Sequence, residues 1–136
     1  MEKRNVWTDV KDPLEIHEDK RGRIADIFYK QKFPKIIIFN LKKGAIRGNH
    51  YRLRGNQYFL LLNGSLEYWY KPSNSNEIAK KIIMQEGDLI NNPPNEIHAL
   101  RAIEKSKFIM FSTWLRTDEE RQKNNINVNS IVQEET

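Results

Sequence analysis

The most informative segment of the 136-residue chain is residues 44–57, which read GAIRGNHYRLRGNQ. If the chain runs as a β-strand after the second glycine, its two-residue period places His50, Arg52 and Arg54 on one face. A histidine between two arginines suits an oxyanion or a phosphate better than an apolar core, because guanidinium groups bind such anions through paired hydrogen bonds. The positive setting also favours the neutral imidazole, which makes His50 the candidate general base.

The basic character extends well beyond this segment. Between residues 27 and 66 the chain has no acidic residue, and the formal net charge of the whole chain is +5. Eight cations lie in that region: Lys30, Lys32, Lys35, Lys42, Lys43, Arg47, Arg52 and Arg54. They are interleaved with strand-like residues instead of forming one continuous stripe, so we expect an anionic small molecule, not nucleic acid, as the partner. A solvated basic face is the alternative.

Length and composition indicate one folded domain. Hydrophobic residues make up 38% and charged residues 30% of the chain, which is near ordinary globular usage. No apolar run approaches the roughly 18 residues that span a bilayer, and the first residues lack the apolar centre of a secretory signal. We therefore expect a cytoplasmic protein without membrane contact. The lack of cysteine excludes disulfides, thiolate zinc sites and cysteine nucleophiles.

Short strand-like segments separated by turn signals recur along the chain. They occupy residues 36–39, 58–62, 66–70, 82–84 and 108–111. Asn63-Gly64 predicts a tight hairpin between two of these strands, because both residues accept positive φ. A meander of antiparallel strands is therefore expected, within a barrel or a sandwich.

Only the C-terminal part of the chain departs from this pattern. Thr117-Asp118-Glu119-Glu120 has the spacing of a capping box and predicts the start of a short helix. Residues 124–136 are polar, and we interpret them as a mobile tail or as a strand in a dimer contact. The expected division is a β-barrel domain over residues 1–116 and a helix or tail over residues 117–136.

The spacing of glycine and histidine in the basic region resembles the first motif of the cupin superfamily. Five residues separate Gly44 from His50, and Gly64 closes the motif at the family's spacing. Arg52 stands where the family has a second histidine, and Gln57 stands where it has a glutamate. The resemblance implies an all-β fold, a single cupin barrel of the double-stranded β-helix or jelly-roll type.

The second cupin motif is matched in part. Gly87, Pro93 and His98 have the family's spacing, whereas Asn95 and Ala102 replace a glycine and a terminal asparagine.

Of the metal ligands that the cupin motifs contain, this chain keeps only His50 and His98, and Arg52 replaces a third. A guanidinium cannot coordinate a metal ion and repels one. We therefore predict no metal and no cofactor. The alternative is a weak metal site formed by His50, Gln57 and His98.

Two segments resemble enzymes that modify nucleotide-linked 4-keto-6-deoxy sugars. Residues 19–22 (DKRG) resemble their N-terminal D-x-R-G segment. Residues 47–51 (RGNHY) resemble the R-G-x-H-Y element of dTDP-4-dehydrorhamnose 3,5-epimerases and the R-G-x-H-A-H element of the FdtA/WxcM-like 3,4-ketoisomerases. Both groups work without metal, and the resemblance gives His50 the role of catalytic base. The ketoisomerases have a second histidine where this chain has Arg52, but their short, one-barrel length fits this chain better than that of the epimerases.

The resemblance implies an isomerase or epimerase in deoxysugar and surface polysaccharide biosynthesis. A 4-keto group acidifies the neighbouring C–H, so a neutral histidine can remove that proton while nearby cations stabilise the enediolate. Arg52 could stabilise the enediolate, bind the diphosphate, or mark a family member that has lost catalysis. The alternative function is a non-catalytic cupin that binds a sugar nucleotide or another anionic carbohydrate, which Arg52 and Gln57 favour.

The expected catalytic residues are His50 and Arg52, with Tyr68, Tyr70 or Tyr58 as the general acid. A buried strand tyrosine is more often a core residue than an acid, so the choice among them stays open. The expected substrate-binding residues are Arg21, Arg47, Asn49, Arg54, Gln57, Tyr58 and His98. A hydrogen-bonded structural role fits His98 equally well. The resemblance further implies a nucleotide-sugar substrate and a homodimer.

Overall fold

Twelve strands make up nearly all of the regular structure in the computed structural model, which describes residues 1–9, 11–114 and 123–133. They are β1 (Glu2–Asn5), β2 (Ile16–Asp19), β3 (Gly22–Ala25), β4 (Lys35–Leu41), β5 (Ile46–Arg52), β6 (Gln57–Asn63), β7 (Leu66–Pro72), β8 (Lys80–Met84), β9 (Asp88–Asn92), β10 (Glu96–Ala102), β11 (Ser106–Ser112) and β12 (Asn125–Asn127). No helix within these ranges is long and apolar enough to cross a membrane.

The strands form two five-stranded antiparallel sheets and one small hairpin. The first sheet has the order β1-β9-β6-β11-β4, the second has the order β12-β5-β10-β7-β8, and β2 pairs with β3. Two facing antiparallel sheets with strands that cross between them confirm the predicted all-β, jelly-roll fold.

The main core lies between the two sheets. Burial alternates along β11, so that Phe108 and Met110 point inward while Ile109 between them is only half-buried. This alternation follows from the pleat of a strand. Phe39 of β4 stacks on Phe108 with 4.6 Å between ring centroids. The fully enclosed members of this core are Leu61, Leu66, Tyr68, Met84, Ile90 and Phe108.

A second apolar cluster covers the outer face of the first sheet. Phe28 and Phe33, from the segment between β3 and β4, pack against Tyr58 of β6 and Phe111 of β11. The ring of Phe28 lies 5.1 Å from that of Tyr58 and 5.0 Å from that of Phe111, both edge to face. Such aromatic pairs add stability beyond the area that they bury. The first sheet is therefore apolar on both faces.

The predicted hairpin at Asn63-Gly64 is wrong, and so is the meander. The turn joins β6 to β7, but β6 pairs with β9 and β11 whereas β7 pairs with β8 and β10. Gly64 has a φ of 98°, and a Cβ there would lie 2.3 Å from the hydroxyl oxygen of Ser106. The turn thus carries the chain from one sheet to the other while it packs on the start of β11. An Asn-Gly pair reports a sharp reversal of the chain, but it does not determine which strands pair.

The C-terminal region contributes one strand to the second sheet. The predicted helix at Thr117-Asp118-Glu119-Glu120 lies outside the described residues. Asn125–Asn127, which fall in the segment interpreted as a tail or a dimer strand, form β12 and pair with β5 of the same chain. The division at residue 116 stays a prediction.

Candidate active site

A cavity of about 330 Å³ lies between the two sheets. Its apolar wall consists of Ile37, Phe39, Phe59, Leu100, Phe108 and Met110. Its polar side chains are Lys35, Arg47, His50, Arg52, Gln57 and His98. Three cations and two imidazoles thus border an apolar pocket, an arrangement that suits a ligand with a ring and a negative charge.

A β-bulge in β5 decides which residues face this cavity. Within the antiparallel pair of β5 and β10, His98 lies opposite His50, but Ala99 lies opposite Gly48, so Asn49 is an extra residue. Asn49 has a φ of 58°, in the left-handed region that asparagine tolerates better than most residues. An extra residue resets the two-residue alternation of a strand.

Because of the bulge, Arg47 and His50 both line the cavity. Arg47 lies opposite Leu100 and His50 lies opposite His98 on β10, and both of these partners face the interior. A regular strand would place positions 47 and 50 on opposite faces. The bulge was not predicted, although the adjacent pair Gly48-Asn49, both suited to positive φ, is the signal that could have indicated it.

Gly48 allows β5 to approach β10 closely at this point. Its φ is 105°, and a Cβ there would lie 2.7 Å from the carbonyl oxygen of His98 and 3.0 Å from the Cα of Ala99. Only glycine fits this combination of backbone conformation and space. The close approach brings the two histidine rings together.

His50 and His98 form an edge-to-face pair with 4.7 Å between ring centroids. His98 is 2% exposed and also contacts the ring of Phe59 at 5.2 Å. Burial, together with the nearby His50 and Arg52, holds the pKa of His98 well below its ordinary value. Its Nδ1 atom is buried and has no hydrogen-bond partner within the described ranges. His98 is therefore a neutral imidazole beside the candidate base at neutral pH.

The low pKa of His98 predicts a specific loss of stability in acid. The unfolded chain takes up this proton near pH 6.5, whereas the folded chain resists it until the pH is well below that value. The contribution is fully present above pH 6.5 and is lost as the pH falls, by at most about 1.4 kcal/mol per pH unit. Urea unfolding at about pH 7.5 and about pH 5.5 measures this loss. His98→Gln should show a smaller difference, and an equal difference in both proteins would contradict the prediction.

Gln57 supplies a buried polar group on the opposite wall. It is 3% exposed, and its Oε1 atom has no hydrogen-bond partner among the residues that the structure describes. Buried amide oxygens ordinarily accept a hydrogen bond, and at this position a ligand in the cavity could donate one. Gln57 and Lys35 both lie opposite Ser112 of β11, in one row across the first sheet. Lys35 was not among the predicted site residues, but its place in the inward-facing series with Ile37 could have indicated it.

The structure does not bring the three candidate tyrosines into the lining of the cavity. Tyr68 is fully buried, and its hydroxyl donates to Oε1 of Glu96 at 3.3 Å. Burial and the negative charge of Glu96 raise the pKa of Tyr68 well above its ordinary value, so it is a poor proton donor. Tyr70 packs against Tyr68 with 5.8 Å between ring centroids. Tyr58 lies in the cluster on the outer face of the first sheet.

Besides Tyr58, three predicted substrate-binding residues lie outside the cavity lining. The Arg21 side chain is 89% exposed on the β2–β3 hairpin, where its Nη2 atom lies 2.6 Å from Oδ2 of Asp19. Arg54 lies beyond the end of β5, with its guanidinium 5.7 Å from the ring centroid of Trp114. Asn49 accepts a hydrogen bond from the backbone of Ile131. The predicted residues that do line the cavity are His50, Arg52, Arg47, Gln57 and His98.

No group of three or more His, Cys, Asp or Glu side chains placed to hold a metal ion occurs in residues 1–9, 11–114 and 123–133. The alternative site of His50, Gln57 and His98 would place a divalent cation in a cavity that Lys35 and Arg52 also line. These positive charges oppose cation binding.

Solved structures with this fold include sugar-nucleotide enzymes. A dTDP-4-dehydrorhamnose 3,5-epimerase from Sulfolobus tokodaii has a TM-score of 0.72 at 18% identity, over 87% of this chain and 76% of that chain. A 3,4-ketoisomerase from Helicobacter canadensis has a TM-score of 0.72 at 15% identity, over 94% and 92%. The sugar 3,4-ketoisomerase QdtA from Thermoanaerobacterium thermosaccharolyticum has a TM-score of 0.69 at 16% identity, over 85% and 86%. The predicted resemblance to both enzyme groups is confirmed at the level of the fold.

Comparison of sequences places the chain in a family. No curated protein matches it. The family model for the polysaccharide biosynthesis C-terminal domain matches residues 17–125, which include the strands that carry every polar residue of the cavity. The chain therefore belongs to the polysaccharide biosynthesis C-terminal domain family.

Proposed function

We propose that this protein is a metal-independent, cytoplasmic isomerase or epimerase of a nucleotide-linked 4-keto-6-deoxy sugar, acting in deoxysugar and surface polysaccharide biosynthesis. The observation that carries the proposal is the position of His50. It lines an apolar cavity beside a neutral imidazole, and Arg47, Arg52 and Lys35 line the same cavity. This arrangement combines a proton acceptor with cations for the anion that proton removal creates.

His50 would remove the proton from the carbon beside the keto group. The electron pair of the broken C–H bond forms the C=C bond of an enediolate, and the carbonyl oxygen gains the negative charge. Arg47 and Arg52, on the same strand as His50, are placed to stabilise that oxygen.

The proton held on His50 is then available for return to a carbon of the enediolate. Return to the former carbonyl carbon, on the same face of the sugar, converts a 4-keto sugar into a 3-keto sugar as the proton of the 3-hydroxyl moves to O4. Inversion of the original carbon instead needs a proton delivered to its opposite face, which water would supply, with the proton on His50 lost to solvent. Both outcomes balance without an oxidant or a reductant. Because none of the three candidate tyrosines lines the cavity, the proposal assigns the return of the proton in the 3,4-isomerisation to His50.

The size and polarity of the cavity support a sugar inside and a diphosphate at the mouth. Its volume of about 330 Å³ is near the lower end of the roughly 300–1,000 Å³ typical of ligand sites. Lys35 begins β4, Arg52 ends β5 and Gln57 begins β6, so these three residues mark one end of the barrel. A diphosphate there would meet two cations.

The ligands of a solved relative indicate which substrate to test. QdtA was solved with TDP, and a mutant form of QdtA was solved with TDP-4-keto-6-deoxyglucose. We therefore choose TDP-4-keto-6-deoxyglucose as the first substrate for this chain.

Proton NMR of this compound in deuterated water, with the purified protein, tests the proposal. Replacement of the proton beside the ketone by deuterium, with new sugar signals, is expected, and the exchanging carbons distinguish 3,4-isomerisation from 3,5-epimerisation. Line broadening of the ligand without exchange would instead identify a non-catalytic binding protein. If the spectra show no exchange and no broadening, this compound is excluded as the substrate.

The proposal includes a homodimer. β4 is one of the two edge strands of the first sheet, and its Ile36 and Ile38 side chains are 58% and 60% exposed. An apolar edge strand of this kind can be covered by a second copy of the chain. Sedimentation velocity is expected to give twice the mass of the chain, and a monomer at micromolar concentration would remove this part of the proposal.

A further inference from the structure

The strand that carries His50 is held along its outer edge by the C-terminal strap, which we define as residues 124–131. Asn125, Ile126 and Asn127 of the strap lie opposite Arg52, Tyr51 and His50 in antiparallel pairing. Without the strap, β5 would be an edge strand with β10 as its neighbour. An edge strand has unpaired backbone N–H and C=O groups on its open side, and a bulge disrupts its hydrogen-bond ladder locally.

The strap binds the bulge residue itself through two hydrogen bonds. The backbone N–H of Val128 donates to the carbonyl oxygen of Asn49 at 2.9 Å. The backbone N–H of Ile131 donates to the side-chain Oδ1 of Asn49, also at 2.9 Å. The second bond requires both an acceptor side chain at position 49 and a backbone in the left-handed region, which asparagine provides.

The other end of the strap fixes the turn that follows β5. Asn124 is 5% exposed. Its Oδ1 accepts from the backbone N–H of Arg54 at 2.8 Å, and its Nδ2 donates to the carbonyl oxygen of Arg54 at 3.1 Å. The strap therefore constrains β5 both before His50, at the bulge, and after it, at the turn.

We propose that Asn49 is a positioning residue for His50, and that it acts by locking the bulge to the C-terminal strap. The bulge determines which side chains of β5 face the cavity. Greater freedom of the backbone at Asn49 would therefore displace the imidazole of His50. Displacement of a reacting group by about 1 Å can lower a rate about 100-fold. The catalytic part of this inference rests on the proposed function, but the structural part does not.

Two substitutions at position 49 separate the side-chain acceptor from the backbone conformation. Asn49→Gly keeps the positive φ but removes the acceptor, whereas Asn49→Asp keeps both. We expect Asn49→Gly to lower kcat about 10- to 100-fold with KM unchanged within about twofold, and Asn49→Asp to retain near wild-type kcat. Equal losses in both variants, or no loss in Asn49→Gly, would overturn the proposal.

A readout that needs no turnover is the ring NMR spectrum of His50. We expect Asn49→Gly to shift or broaden the His50 ring signals while the exposed His17 signals stay in place. Ile131→Pro, which removes the backbone donor and leaves Asn49 intact, should reproduce this change, and Gln133→Pro is its matched control. If the wild-type protein exchanges no proton of TDP-4-keto-6-deoxyglucose, the proposed reaction on this substrate fails while the NMR comparison still decides the role of Asn49. Unchanged His50 signals in both Asn49→Gly and Ile131→Pro would refute it.

Discussion

Replacement of His50 by asparagine is expected to lower turnover of the 4-keto sugar by about 100- to 10,000-fold. Asparagine is close in size to histidine and can still donate a hydrogen bond, but it cannot accept the proton from carbon. The side chain of His50 lines the cavity and is not part of the buried apolar core. The fold and the affinity for the nucleotide should therefore be nearly unchanged. Steady-state kinetics, an unfolding curve and a titration with TDP measure the three quantities.

The matched control for this variant is His17→Asn. His17 lies on the β2–β3 hairpin with its side chain 66% exposed, so the same chemical change there should leave turnover unaffected. His50→Asn with wild-type turnover would refute the role of base. If TDP affinity or stability fell together with turnover, His50 would also be needed for the shape of the cavity, and the lower turnover could not be assigned to the missing base alone.

Loss of the positive charge at Arg52 is the second large effect that we expect. Arg52→Gln should lower kcat/KM about 100- to 1,000-fold, because the developing enediolate loses a cation that lines the same cavity as His50. A fall in kcat would mean that Arg52 stabilises the enediolate, whereas a rise in KM alone would mean that Arg52 binds the diphosphate. Arg54→Gln is the matched control, since Arg54 lies against Trp114 outside the cavity lining. An unchanged kcat/KM in Arg52→Gln would contradict both roles.

Arg52→His tests whether this position separates the chain from the ketoisomerases. The substitution restores the second histidine of the R-G-x-H-A-H element, and 3,4-isomerisation is expected to rise relative to Arg52→Gln. The product is identified by the same NMR assay in deuterated water. No gain over Arg52→Gln would mean that other residues of the cavity decide the reaction.

Much of the site could be predicted from the sequence because its residues are spaced by strand geometry. The resemblance to the cupin motifs rested on the spacing of three glycines (44, 64 and 87) and two histidines. The structure places His50, Arg52, Gln57 and His98 around one cavity. These positions depend on the alternation within each strand, which is a local property of the chain.

The remaining features depend on contacts between distant strands. The bulge at Asn49 is defined by the register of β5 against β10, and the change of sheet at Gly64 is defined by the pairing of β6 and β7 with other strands. Tyr68 has the pattern of a strand residue whether its hydroxyl meets a substrate or Glu96, and only the packing of β7 on β10 decides this. Single-sequence patterns do not contain such pairings.

The strap has a consequence for the order in which the protein can be completed during synthesis. β12 follows every other described strand in the sequence, so β5 has already emerged from the ribosome when residues 124–131 are still to appear. Until then the nascent chain presents an open, bulged edge next to the future site, where another polypeptide strand can pair. Slow emergence of these residues would therefore favour aggregation through the edge of β5. A chain that ends before β12 should keep its core but aggregate more readily than the full chain.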